Sequence, residues 1–523
     1  MILKYLRRLA DRLQIRHTPL LVATLVAGVT FWVAISLTPN RLTAANHGID
    51  GGDLLAAVVS RGIPHPSGYP TYLLLGRVIQ SVPLGTPYWR GALLSSLPAA
   101  LAAGLFAAWA TPKGASRGKA IAIGLSAGLA WGTSPLFLAQ AAIVEVHGLQ
   151  ALFCALALIW LRLLSQTVDS NQKKAASLGL AFAFGLGLGN HLTLLALLPV
   201  VLICLGAARR RGLSPGWIAG QLALLAAGSL VYLYLPLLAR QDPPVNWGNP
   251  QTWQGFKWLV TAQPYQGLLF SLPPASLAER LAAWFDFLRA QLGLPGLALT
   301  AAGAVWMSAE ERPAFWRLAW IFCAYSFVSI GYATRDSSVY LIPALLAASA
   351  WIAFALSRSW GRNWRRLPWG KALNLLAIGY FIARLPLTIQ QVDPRQETWP
   401  DDFARDLLRQ APAAAIVLTQ ADPDTFSLWY HHFGLGERSD LAIVARALLP
   451  YPWYRQTLAH TYPDLMLPES VPQGDGDWGE SLLNFNPSRP ACRTRLQSSD
   501  PTWLAFQCRL AGDSDLRPHQ AVK

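Results

Sequence analysis

The chain has 523 residues, 53% of them hydrophobic and only 14% charged, where soluble domains carry about 25% charged residues. That deficit argues against a chain surrounded by water alone. The net charge of +15 falls in short clusters between apolar segments, with no basic stripe interleaved with aromatics, so nucleic acid is not an expected partner.

A membrane-spanning helix needs about 20 apolar residues, because each residue rises about 1.5 Å and the hydrocarbon core is about 30 Å thick. About eleven segments read as spans: 18–38, 88–110, 120–133, 146–164, 175–189, 192–207, 217–239, 292–308, 315–333, 339–357 and 372–390. The short pair around Asn190 and His191 reads equally as one re-entrant element. The first segment is too long for the apolar core of a cleaved leader, and more spans follow it, so it is expected to stay as an anchor.

Orientation follows from Lys and Arg in the short connections. Lys4, Arg7, Arg8, Arg12 and Arg16 place the N-terminus in the cytoplasm. Counting spans, Lys113, Arg117 and Lys119, then Lys173 and Lys174, Arg209 to Arg211, Arg312, and Arg358, Arg362, Arg365 and Arg366 fall on the same side. The opposite face then holds the loops 39–87 and 240–291 and everything after Val392.

The tail alternates short apolar runs with helical patterns: a helix over 403–410, a buried strand over 415–419, a helix over 424–433 and a strand over 441–445. That alternation predicts a small α/β domain. Cys154, Cys204 and Cys323 lie in apolar segments as inert core residues. Cys492 and Cys508 flank a strand–turn–strand pattern and pair as a disulfide if the tail faces an oxidising compartment; two free thiols are the alternative. The expected architecture is an all-α polytopic membrane domain over residues 1–391, whose first extracytoplasmic loop is 39–87, followed by a soluble extracytoplasmic α/β domain over 392–523.

The loop 39–87 is the richest in chemistry. Asp50 and Asp53 precede an apolar helix and share a face if both are helical. Partial desolvation at the membrane boundary raises a carboxylate's pKa and makes it a better base toward an acceptor hydroxyl. The same spacing also fits a capping box, Asp50 as N-cap and Asp53 near the third helical position. The segment Gly62 to Pro70 holds three prolines and two glycines, a rigid turn that fixes His65. His65 is a candidate hydrogen-bond donor to a phosphate or sugar, or a half-buried histidine serving the loop's own backbone.

Glu145 and His147 open a span at the outer face, and Asn190 and His191 sit at an outer turn; polar groups at such depth usually face a polar cavity. Metal ligation by this set is left open, since no HExxH motif is present and no spacing enforces it. Arg240, Lys257 and Arg335 lie on the outer side against the positive-inside bias. Lipid phosphate is a natural partner for such an arginine, and pairing with Asp242 or Asp336 is the alternative.

The order Asp50-Gly51-Gly52-Asp53, then His65-Pro66-Ser67-Gly68-Tyr69-Pro70, resembles the D-S-G-E … H-P-P-G-Y-P pattern of a bacterial membrane family grouped with protein O-mannosyltransferase-like glycosyltransferases. Glu145-Val146-His147, Gly187-Leu188-Gly189-Asn190-His191-Leu192-Thr193, Tyr234-Leu235-Pro236, Pro244-Val245-Asn246-Trp247-Gly248 and the run from Asp422 to Tyr430 match further family motifs, so the likeness covers about residues 50–455. Asp53 stands where the family has Glu, His147 where it has Tyr, and Pro423 where it has Asn. The resemblance implies a GT-C architecture, a polyprenyl-phosphate sugar as donor and a catalytic acid in the first outer loop. By analogy Asp50 is the base and Asp53 its neighbour, and the motifs add Tyr69, Asn246 and Trp247 to the expected substrate-binding residues.

The expected activity is transfer of a mannose-like sugar, with inversion, to a hydroxyl on a protein or glycan acceptor at the outer face of the inner (plasma) membrane. The rival readings are a transporter or flippase for lipid-linked sugars and a non-catalytic envelope assembly protein.

Overall fold

Apolar stretches bounded by basic clusters have one stable solution in lipid, the α-helix, because it satisfies every backbone polar group internally. The computed structural model describes residues 17–166, 169–210, 216–363, 367–468, 477–496, 504–511 and 517–518. Lys4, Arg7, Arg8, Arg12, Arg16, Arg211, Arg365 and Arg366 lie outside the described residues.

The membrane part begins with α1 (His17–Leu37), then α2 (Gly51–Val59) and α3 (Pro70–Gln80) of the loop 39–87. There follow α4 (Pro87–Ala110), α5 (Arg117–Gly132), α6 (Pro135–Ala141), α7 (His147–Gln166), α8 (Ser170–Leu188), α9 (Leu198–Arg210), α10 (Gly216–Ser229) and α11 (Tyr234–Ala239). A short outer helix α12 (Trp253–Val260) leads to α13 (Leu277–Glu310), α14 (Arg312–Gly331), α15 (Ile342–Ser359) and α16 (Trp369–Val392).

All eleven expected spans are helical, but the count of eleven needs correction. Among the described residues nine helices are long and apolar enough to cross a membrane, or ten if α5 and α6, bent by 65°, form one broken span. The helix that falls short is α8, whose first turns carry Lys173 and Lys174. It nonetheless lies in the bundle against α7 and α10. The second of the two short segments runs as one span over Leu192–Arg209. Helix α13 begins fifteen residues before the expected 292 and breaks at Gly293, whose φ of 67° lies outside the helical region.

Small residues let the helices touch. A Cβ on Gly148 of α7 would collide with the Ser95 carbonyl of α4, and one on Gly228 of α10 with the Phe182 carbonyl of α8. Without a hydrophobic drive between helices in lipid, such close backbone contact is what holds them together. Helix α15 is buried along nearly its whole length and forms the axis of the bundle.

After α16 the chain leaves the bundle and builds the α/β unit. Helix α17 (Trp399–Gln410) packs on a five-stranded sheet in the order β2-β1-β3-β4-β5. The strands are β1 (Ile416–Thr419), β2 (Ala442–Ala445), β3 (Ala491–Leu496), β4 (Leu504–Arg509) and β5 (Arg517–Pro518). Strands β1, β2 and β3 are parallel, and β4 and β5 are antiparallel additions at the edge. Between the strands lie α18 (Asp422–Trp429), α19 (Pro452–Thr461) and α20 (Trp478–Phe485). Cys492 and Cys508 face each other across β3 and β4 and form the disulfide.

This unit shares one core with the first outer loop. Leu54, Leu55 and Val58 of α2 and Tyr72 of α3 are buried with Ile416, Val417, Phe426 and Trp429. Backbone meets backbone where α2 crosses α18: a Cβ on Gly52 would lie 2.5 Å from the Phe426 carbonyl oxygen.

Candidate active site

The capping box expected over Asp50 and Asp53 does not form. Asp50 stands at the start of α2, but its carboxylate caps nothing. Asp53, one turn on and fully buried, accepts three hydrogen bonds instead. Its Oδ2 takes the His65 backbone N–H at 2.8 Å and the His65 Nδ1–H at 2.7 Å, and its Oδ1 takes the Trp247 Nε1–H at 3.1 Å. A carboxylate has no donor of its own when ionised, so this geometry fixes the proton on His65 Nδ1.

The proline-rich turn places His65 there. Ile63 bridges Asn246 in parallel, its N–H bonding the Val245 carbonyl at 2.7 Å, so the loops 39–87 and 240–291 are sewn together beside Asp53. Tyr69 sits at φ 42°, a left-handed conformation costly for a non-glycine residue. Its hydroxyl thereby comes 3.0 Å from His65 Nε2. The imidazole is flanked by Tyr69 edge-on with centroids 5.1 Å apart, and by Phe426 of α18 in a 15° stack at 6.2 Å.

His65 Nε2 lies 3.7 Å from Asp50 Oδ2, and 39% of the Asp50 side chain remains exposed. The two aspartates, alike in sequence, are therefore unlike in structure. Asp53 is saturated and locks the histidine, whereas Asp50 is free on the open side of the same imidazole.

The electrostatics follow from this crowding. Burial pushes the Asp50 carboxyl up to about 6; the His65 charge pulls it back, while Asp422, Asp336 and Asp53 add repulsion. Burial pulls His65 down, but Asp50, the bond to Asp53 and the charges of Asp53 and Glu145 outweigh it, so the imidazole is raised to about 9. Burial first, and then the Asp50 charge, hold Glu145 well above the usual carboxylate range. With Asp50 raised to about 6 and His65 to about 9, neutral pH favours an imidazolium held by Asp53 beside an ionised Asp50.

The remaining expected residues divide into two sets. Glu145 Oε2 lies 4.0 Å from His147 Nε2, and the His147 and His191 rings are 5.5 Å apart. His191 is 6.2 Å from the Tyr69 ring and 5.8 Å from the Tyr340 ring. Asn190 is buried and donates to the Val146 carbonyl at 3.1 Å, while Asn246 donates to Asn249 Oδ1 at 3.3 Å. The Oδ1 of each amide is buried without a hydrogen-bond partner.

Arg240 lies exposed at the end of α11 and Arg335 exposed beside Asp336. Neither makes an ion pair among the described residues, so the alternative of pairing with Asp242 or Asp336 is not realised; Asp242 instead accepts from Gln251 at 3.0 Å. Arg280 of α13 donates to the Tyr332 carbonyl and so ties the N-terminal end of α13 to the connection bearing Arg335 and Asp336. Among the described residues no three His, Cys, Asp or Glu side chains are disposed to hold a metal ion.

Sequence reading missed two contributors, Asp422 and Phe426. Both come from the α/β unit, more than 350 positions away from Asp50 and His65. Asp422 is exposed at the first turn of α18 and adds its charge to those around Asp50 and His65. The only signal for them was the run from Asp422 to Tyr430, noted as a motif and not as part of the site.

Residues 50–212 match the family described as the protein O-mannosyl-transferase TMEM260 N-terminal domain, and residues 400–475 match TMEM260-associated domain 2. The chain is 26% identical over 446 residues to protein O-mannosyl-transferase TMEM260 of Mus musculus, an alignment covering 80% of this chain and 62% of that protein. The chain thus spans less than two thirds of its curated relative. In fold it is similar to ArnT from Cupriavidus metallidurans bound to undecaprenyl phosphate, with a TM-score of 0.58 at 14% identity over 94% of this chain and 98% of that one. The apo form of ArnT gives a TM-score of 0.59 at 16% identity over 91% and 92% of the two chains.

Proposed function

We propose that this chain, which belongs to the O-mannosyltransferase-like GT-C family, transfers a mannose-like sugar from a polyprenyl-phosphate donor to an acceptor hydroxyl at the extracytoplasmic face of the inner (plasma) membrane. The observation that carries this reading is the free Asp50 carboxylate beside an imidazole that Asp53 holds in place.

Asp50 takes the proton from a hydroxyl of a protein or glycan acceptor. The oxygen so exposed attacks the anomeric carbon from the face opposite the phosphate. The bond to the phosphate oxygen breaks and the polyprenyl phosphate leaves, so the single displacement inverts the anomeric configuration. Arg335, on the connection that Arg280 holds through the Tyr332 carbonyl, meets the departing phosphate; Arg240 is the second exposed cation on the outer side. The His65 cation keeps Asp50 ionised near neutrality and is itself a donor toward a substrate oxygen.

Orientation is part of the proposal, with the N-terminus cytoplasmic and the α/β unit outside. The disulfide of β3 and β4 supports it, since such bonds persist in oxidising compartments. So does the layout of the helices. Two helices that flank the site carry basic residues at the far end: α14 starts at Arg312 and ends at Gly331, next to Tyr332, and α15 starts at Ile342, after Tyr340, and ends at Ser359, beside Arg358.

The test is a transfer assay with purified full-length protein and a panel of polyprenyl-phosphate sugars, reading release of the carrier phosphate. Release by the wild type and its loss in Asp50→Asn, with expression and melting unchanged, are expected. Undiminished release by Asp50→Asn would remove Asp50 as the base. Tight donor binding with no release by the wild type would favour a carrier of lipid-linked sugars.

A further inference from the structure

Two adjoining cavities open at the opposite end of the bundle from Asp50, between α7, α9 and α14. One of about 240 Å³ lies against Trp109, Arg162 and Phe354. The other, of about 600 Å³, lies against Cys204, Trp316 and Trp320. Arg317, Glu311 and Gln166 line both, so they form one crevice. It is separated from the site by the length of α7, 20 residues from His147 to Gln166, which is about 30 Å at about 1.5 Å per residue.

The chemistry of the crevice is lopsided. Arg162 stacks over the Trp109 ring at 5.5 Å and is anchored on the Trp109 carbonyl and on Gln166 Oε1 at 2.9 Å. Arg317 is half-buried, and its recorded acceptor is Cys204 Sγ at 3.8 Å, a weak one. Neither arginine is within ion-pair distance of a carboxylate among the described residues, and the Trp109 Nε1–H is buried without a partner. Lys113, on the connection from α4 to α5, adds a third cation near Arg162 against the single acid Glu311. Donors and positive charge therefore converge with too few acceptors to meet them.

The mouth is apolar and faces lipid. Trp316 and Ile203 are 68% and 67% exposed, and Trp320 is 45% exposed. An occupant must bring several acceptor oxygens and negative charge at one end and hydrocarbon at the other. We propose that the crevice binds an anionic phospholipid from the leaflet at the basic end of the bundle. Its phosphodiester lies between Arg162 and Arg317, and its acyl chains run out past Ile203, Trp316 and Trp320. Planar guanidinium groups suit phosphate oxygens, and a tryptophan-lined rim suits the headgroup level of a bilayer.

The test is native mass spectrometry of the full-length protein after exchange into micelles doped with phosphatidylglycerol or phosphatidylcholine. The wild type should retain phosphatidylglycerol over phosphatidylcholine, and Arg162→Gln with Arg317→Gln should lower that retention about tenfold. Arg317→Lys, which keeps the charge, should retain an intermediate amount and so separates loss of the site from loss of the fold. Asp50→Asn should bind as the wild type does, so failure of the transfer reading and failure of this one are told apart. Equal retention of the two lipids, an undiminished preference in the double variant, or release of the lipid by millimolar inorganic phosphate would each overturn the proposal.

Discussion

Asp53 accepts the Nδ1–H of His65 at 2.7 Å, and that bond sets two similar aspartates apart, since Asp50 meets only the other nitrogen of the ring, at 3.7 Å. Both oxygens of Asp53 are already held by donors, and its side chain is fully buried. It orients the ring instead, and the ring in turn faces Asp50.

Substitutions at the two positions should therefore separate by kind. Asp50→Asn should lower the rate constant for transfer about 10²- to 10⁴-fold, the range for losing a general base, with melting unchanged. Asp53→Asn should in addition cost about 1–3 kcal/mol of stability, because it leaves buried donors of His65 and Trp247 poorly met. Thermal unfolding measured beside the transfer assay distinguishes them. Equal loss of stability in both would mean that Asp50 is structural as well.

The pH profile should be bell-shaped. Asp50 must be ionised to act, so activity rises as pH climbs through about 6. His65 is raised from 6.5 to about 9, so its cation, and the stability it lends, are complete below the lower value and fade as pH climbs through the upper one. The two limbs belong to the interacting pair. His65→Gln removes an attraction and should move the acid limb upward, while Asp422→Asn removes a repulsion and should move it downward. An acid limb that stays in place in both variants would contradict the assignment.

Gly52→Ala should weaken the joint between the outer loop and the α/β unit. The new methyl would stand 2.5 Å from the Phe426 carbonyl oxygen and 2.7 Å from its carbon, and neither is the movable end of a side chain. Overpacking of that sort costs about 1–3 kcal/mol. Limited proteolysis after Val392 should then release the α/β unit faster than in the wild type, and transfer should fall because Phe426 and Asp422 move away from His65. A cleavage rate equal to the wild type's would show that the two helices have room to part.

Reduction of the disulfide should loosen the edge of the sheet. Cys492 and Cys508 are 16 positions apart, and closing a loop of that size is worth about 3 kcal/mol in the chain-entropy account. Cys492→Ser should lower the unfolding midpoint of the α/β unit, and thiol labelling of Cys508 should need reductant only in the wild type. Labelling of the untreated wild type at Cys508 would rule the bond out in the native protein.

Much of the architecture was legible because bilayer thickness and hydrogen-bond satisfaction act on local sequence. Apolar runs of the right length located the long helices of the bundle but not α6, which lies between two expected spans, and strand and helix periodicity located β1, β2, α17 and α18. The span count failed at α8, where two lysines dilute an otherwise apolar helix. The start of α13 was missed because its first fifteen residues are amphipathic and lie before the expected span.

The sequence by itself determined which residues are acids, which turn is rigid and which ends of the helices are basic. Composition, proline content and charge pattern are properties of neighbours along the chain. Only the tertiary structure decided that Asp53 is spent on His65 and Trp247 while Asp50 stays open, that Asp422 and Phe426 reach the site from the far end of the chain, and that Arg162 and Arg317 meet across a crevice. Each of these depends on a distance between residues remote in sequence, and hydrogen bonding and charge act through that distance.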